Sequence, residues 1–128
     1  MSRAELDTEI EAGVVFWGCE AEGQLVGVMG VQPVRDVDLI RHAYVLPAMQ
    51  GQGIGGELLR RLRGSSTRPM LVGTWAAAEW AIGFYRSHGF ELVPPHRTAV
   101  LLDRYWNIPQ RQIETSVVLA DASFRDAG

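Results

Sequence analysis

The chain has 128 residues, 47% of them hydrophobic, which is enough for one globular domain that buries about two thirds of its surface. Its 12 basic and 15 acidic side chains leave a net charge of −3, and every basic residue is an arginine, so Schiff-base chemistry, a P-loop lysine and Ser-Lys nucleophile pairs are excluded. The arginines are scattered apart from Arg60, Arg61 and Arg63, which argues against nucleic acid, and the lone Cys19 allows neither an internal disulfide nor a cysteine metal cluster; with no long apolar segment, a cytoplasmic protein off the membrane is expected.

Residues 2–12 read as a short acidic helix, with Ser2 and Glu5 as a capping box and Gly13 as its end. Val14 to Glu20 and Leu25 to Val34 read as a hairpin, and Leu39 to Leu46 as a third strand stopped by Pro47. Two-residue alternation in that strand puts Leu39, Arg41, Ala43 and Val45 on one face, opposite Ile40, His42, Tyr44 and Leu46. The period then changes: Ile54, Leu58, Leu59 and Leu62 share one helical face, with Gly64 as the expected C-cap. Met70 to Trp75 reads as a strand, Ala76 to His88 as a helix closed by Gly89, and Phe90 to Val93 as a strand. Pro94 and Pro95 start an inserted helix near 95–106, and Gln112 to Ala120 reads as the last strand. This order defines an α/β (α+β) class, with helices packed on a mixed sheet.

The junction Gln50-Gly51-Gln52-Gly53-Ile54-Gly55-Gly56 places four glycines before a helix whose first amides have no partner within the helix. Glycine admits close approach of an anion and the helix end attracts it, so a pyrophosphate can be held without lysine. A plain flexible loop explains the glycines about as well. Gly51, Gly53 and Gly56 also match the dinucleotide fingerprint G-x-G-x-x-G, but the preceding strands, the long loop and the lack of a ribose-binding acid after Trp75 count against that match.

The run from Val45 through Gly56 closely resembles the acetyl-CoA-binding signature of the GCN5-related N-acetyltransferases, including its Q-x-x-G-x-G core. The segment Ala81 to Glu91, with Phe84-Tyr85 and Gly89-Phe90, resembles that family's late helix and turn at the expected spacing. The resemblance covers about Val14 to Val93. It implies one acetyltransferase domain over residues 1–128, with a mostly antiparallel central sheet and helices on both faces. It also implies direct transfer from acetyl-CoA to a primary amine of a small molecule or peptide. By the same resemblance, the amides of Gln50, Gly51, Gln52, Gly53, Ile54, Gly55 and Gly56 hold the pyrophosphate. Backbone near Ala43, Tyr44 and Val45 meets pantetheine and thioester, in a strand divergence between Tyr44 and Trp75, and Tyr85 protonates the departing thiolate.

Several positions depart from the family pattern. Ala78 stands where many members have an asparagine, Gly73 where some have a glutamate, and Leu39 and Arg41 where a base is often found. The region before the hairpin is short, which implies an open acceptor pocket, or one covered by a second subunit in a homodimer or by the inserted helix with Tyr105 and Trp106. Arg41 is a candidate for an acceptor carboxylate, and Trp17, Trp75, Trp80 and Trp106 for an aromatic cage, although four tryptophans are more often core. His42, His88 and His96 lack metal-ligand spacing. Two other readings of the residues stay open: a non-catalytic acyl-CoA-binding regulatory domain and a small dinucleotide-binding module.

Overall fold

Glu22 and Gly23 both take positive φ, 53° and 80°, the turn geometry that matches strand twist, and so fold β1 (Val15–Ala21) against β2 (Gln24–Val34). The computed structural model that shows this describes residues 10–106 and 108–125. These form two compact units, one of residues up to 33 with 38–67, the other of 34–37 with 68 onward. The expected N-terminal helix falls mostly outside the described residues; only its end at Ile10 and Glu11 is seen, closed by Gly13 at φ 96°, whose N–H bonds the Ile10 carbonyl.

In the first unit β1 and β2 pair antiparallel from Val15↔Val31 to Ala21↔Gln24, with a register shift between Cys19 and Glu20. β3 (Val37–Val45) lies beside β2. The expected alternation in β3 is corrected by the structure: Val37, Asp38, Leu39 and Ile40 are all buried, whereas His42, Ala43 and Tyr44 are all exposed. The physical cause at the exposed end is His42, whose φ of 54° is left-handed and interrupts the two-residue period, with its ring stacked on Phe16 at 6.0 Å.

Helix α1 (Ile54–Ser65) buries Leu58, Leu59 and Leu62, as their spacing predicts. Gly64 is not its cap: the helix continues to Ser65, and the Ser66 N–H closes it on the Arg63 carbonyl. What brings α1 close to the strands is Gly27 in β2. A Cβ there would lie 2.8 Å from Ile54 Cγ2 and 3.3 Å from Leu58 Cδ1, so only glycine lets the start of the helix sit this near the sheet.

In the second unit β4 (Met70–Trp75) precedes α2 (Glu79–Ser87), β5 (Glu91–Leu92), α3 (Pro95–Tyr105), α4 (Gln110–Glu114) and β6 (Ser116–Ala120). Both β4 and β5 pair antiparallel with β6, which lies between them. The helix expected near 95–106 is present as α3. Three boundaries differ: residues 76–78 precede the helix, the strand at 90–93 shrinks to two residues, and the last strand, expected from Gln112, starts at Ser116 after a helix at 110–114. The last difference follows from Pro109, which starts a helical turn; the Gln112 and Ile113 N–H groups both return to its carbonyl. Leu71, Leu101, Leu102, Val118 and Leu119 form the core of this unit, and buried Asp121 accepts the Met70 N–H at the start of β4. No described helix is long and apolar enough to cross a membrane.

Candidate functional site

The end of β3 is fixed by one peptide group. The Leu46 N–H donates to the Val26 carbonyl at 2.9 Å, so the Val45 carbonyl, on the opposite side of that trans peptide, points away from β2. The chain then makes a 3-10 turn at Pro47–Met49 and reaches Gln50, whose Nε2 donates back to the Val45 carbonyl at 3.2 Å. Immediately after, Gly51 and Gly53 both take φ 81°, which side-chain-bearing residues rarely adopt, and nothing lies within 4 Å of the Cβ position at either. Gly53 is the N-cap of α1 and has no side chain to occupy the amides of Ile54, Gly55 and Gly56, while the Glu57 N–H takes the Gly53 carbonyl at 3.0 Å. The result is an uncapped, positively polarised helix end behind an open glycine loop, which is a cradle for an anion. Glu57 is the acidic residue of that first turn. Its carboxylate is held below the usual range by a hydrogen bond from Arg61 Nε at 3.0 Å and by the Arg60 charge, and the pairing offsets negative charge next to the cradle.

Tyr85 is placed by α2 in the second unit. It is 5% exposed, packed edge-on against Phe84 at 5.1 Å and Phe90 at 5.6 Å, with Gly89 at φ 91° turning the chain so that the Phe90 N–H bonds the Tyr85 carbonyl. Burial pushes its phenol up to about 12. The folded pKa exceeds the unfolded value near 10, so its contribution to stability is complete below pH 10 and is lost as the pH rises towards 12, up to about 3 kcal/mol. Unfolding by denaturant at pH 9 and pH 11.5 should show this fall, and Tyr85→Phe should reduce it to the share left by Tyr105, whose pKa is also raised.

Trp106, just past α3, lies against Gly73 on β4: a Cβ at Gly73 would be 3.3 Å from its Cζ2. The indole therefore fills the space beside the position where a glutamate was looked for. Trp75, two residues further on the same face of β4, is 67% exposed, and Trp80 at the start of α2 is 81% exposed, so neither is the core residue that tryptophan statistics favour. Tyr105 is 6% exposed and its hydroxyl donates to Asp36 Oδ1 at 2.7 Å; its burial and this bond raise its pKa, and the same bond lowers that of Asp36. This places Tyr105 in the packing of its own unit. Tyr105→Phe should accordingly leave the acceptor KM unchanged and lower unfolding stability by about 1 kcal/mol, measured by denaturant titration.

Arg41 Nη1 donates to Gln32 Oε1 at 2.7 Å, and Gln32 Nε2 donates to the Ala12 carbonyl at 2.8 Å, so the guanidinium is part of a chain that steadies the strand ends. Three contacts that the sequence reading passed over are structural: Gly27 admits α1, Gln32 holds Arg41, and Asp36 holds Tyr105. An isolated glycine inside a strand was the available signal for Gly27, whereas nothing local marked the other two. Ala78 is the N-cap of α2 and makes no side-chain cap.

A strand edge, a glycine turn and an uncapped helix follow one another here, and the free amides of such a helix start can donate hydrogen bonds to the anionic side of a ligand. The chain belongs to the acetyltransferase (GNAT) family, whose domain model, described as "Acetyltransferase (GNAT) domain", matches residues 12–92. It is 33% identical over 89 residues to N-acetyltransferase 8F1 of Mus musculus, covering 62% of this chain and 40% of that protein. It is 29% identical over 89 residues to the uncharacterized N-acetyltransferase YjgM of Escherichia coli (strain K12), covering 63% of this chain and 53% of that one. The chain thus spans about half the length of the curated relatives it matches. Among solved structures, a GNAT family acetyltransferase from Elizabethkingia anophelis with acetyl-CoA bound superimposes with a TM-score of 0.70 at 21% identity, over 94% of this chain and 82% of the other.

Proposed function

We propose that this chain is one acetyltransferase domain that moves the acetyl group of acetyl-CoA to a primary amine of a small molecule or peptide by direct attack. The observation that carries this reading is the cradle: Gly51 and Gly53 at φ 81° ahead of the uncapped α1, directly after a strand end whose Val45 carbonyl faces away from β2. The cradle takes the pyrophosphate, and the outward edge at Ala43, Tyr44 and Val45 pairs with pantetheine. The acetyl-CoA bound to the Elizabethkingia anophelis neighbour supports this choice of donor.

The neutral amine attacks the thioester carbonyl, a C–N bond forms, the C–S bond breaks, and the electron pair leaves on sulfur. Tyr85 is the group proposed to meet that thiolate. Burial holds its phenol near 12, so it keeps its proton at neutral pH, and the same loss of water raises the pKa of a thiol leaving beside it. In this reading Tyr85 is the general acid: its O–H protonates the departing sulfur, and the attacking nitrogen, strongly acidic once acylated, gives its own proton to water or back to the tyrosine oxygen. Gly73, beside Trp106, offers no carboxylate as base, so an amine that arrives neutral is the preferred acceptor. The same feature favours, as a second reading, a domain that binds acyl-CoA without turning it over.

Calorimetric titration with acetyl-CoA, CoA and NADH tests the donor, followed by an amine screen for turnover. Micromolar binding of both CoA species without NADH is the expected result. Binding of NADH alone would return the site to a dinucleotide.

A further inference from the structure

We infer that the Gln50 side chain is a positioning residue that couples the two halves of the donor site, holding the phosphate cradle at a set distance from the strand edge. The inference rests on the donor reading above. The strand edge and the cradle are separate recognition elements: Val45 belongs to the end of β3, whereas Gly51 and Gly53 belong to the turn before α1. Between them run Leu46, the 3-10 turn and Gln50, whose backbone N–H makes only a long 3.4 Å bond to the Pro47 carbonyl. Gln50 Nε2 spans this segment in one step, donating at 3.2 Å to the carbonyl that faces away from β2. One end of the latch is thus the strand edge itself, and the other is the residue that enters the glycine turn.

A donor that touches both elements gains from their being held apart at the correct distance, because the second contact is then made at high effective concentration. A fragment that touches only one element gains nothing from the latch. Losing one such hydrogen bond therefore weakens the whole donor by about three- to tenfold and leaves its fragments alone.

The test compares acetyl-CoA with two fragments, ADP for the cradle and S-acetylpantetheine for the strand edge, by NMR titration of the wild type and of Gln50→Leu. The expected result is acetyl-CoA binding weakened about three- to tenfold with both fragment affinities unchanged. Gln50→Arg keeps a donor at this position, and in it the ratio of acetyl-CoA affinity to the product of the fragment affinities should return towards the wild-type value. An unchanged ratio in Gln50→Leu overturns the inference. So does a loss shared by both fragments, which is the mark of a damaged loop. If the wild type binds neither fragment nor acetyl-CoA, the donor reading itself fails, and the inference falls with it.

Discussion

Gly53→Glu is expected to abolish acetyl-CoA binding, raising Kd by at least about 100-fold, while the chain stays folded. Two effects act at this position. The backbone is left-handed at φ 81°, so any side chain costs about 1–2 kcal/mol in folding, well inside the stability of an ordinary domain. Nothing lies within 4 Å of the Cβ position, so the new Cβ meets no clash. The larger effect is on the ligand: a carboxylate at the N-cap takes up the helix amides and stands within a few ångströms of the proposed phosphates. Repulsion between unit charges about 4 Å apart is worth roughly 4 kcal/mol at a protein surface, before salt screening. Gly53→Ala carries the strain without the charge and should lose much less affinity. Calorimetry on both variants, with thermal unfolding as a check, separates the terms. Micromolar binding retained in the glutamate variant would remove the cradle from the donor site.

Tyr85→Phe should lower kcat by about 10²- to 10⁴-fold with the KM for acetyl-CoA nearly unchanged. The phenyl ring keeps its edge contacts with Phe84 and Phe90, so the fold loses only a hydroxyl group. Because burial holds the phenol near 12, the wild-type rate should also show no alkaline decline at pH 10, where an ordinary tyrosine ionises. Unchanged turnover in Tyr85→Phe would make this tyrosine a packing residue. An intact wild type that binds acetyl-CoA yet acetylates no amine would favour the regulatory reading.

Much of the first unit was legible in the sequence because its signals are local. Turn residues at Glu22-Gly23 specify a hairpin, the spacing of Leu58, Leu59 and Leu62 specifies a buried helix face, and glycines before Ile54 specify an uncapped helix start. Pro94-Pro95 likewise marked the inserted helix, since a fixed φ suits a first turn. The misread boundaries are places where local preference is weak. Gly64 sits in a helix with no need of positive φ, residues 110–114 follow a proline that starts a turn, and β5 exists only as far as β6 pairs with it.

What the sequence determined by itself is the order of the longer elements, α4 excepted, and the residue types at the cradle, because both depend on a few neighbouring dihedrals and on spacing along the chain. Only the tertiary structure decided how distant side chains are used: Tyr105 spends its hydroxyl on Asp36, Trp106 lies against Gly73, Gly27 admits Ile54, and burial lifts the Tyr85 phenol to about 12. These outcomes depend on which surfaces lose water and which atoms come within 4 Å, and neither quantity is a property of a short stretch of sequence.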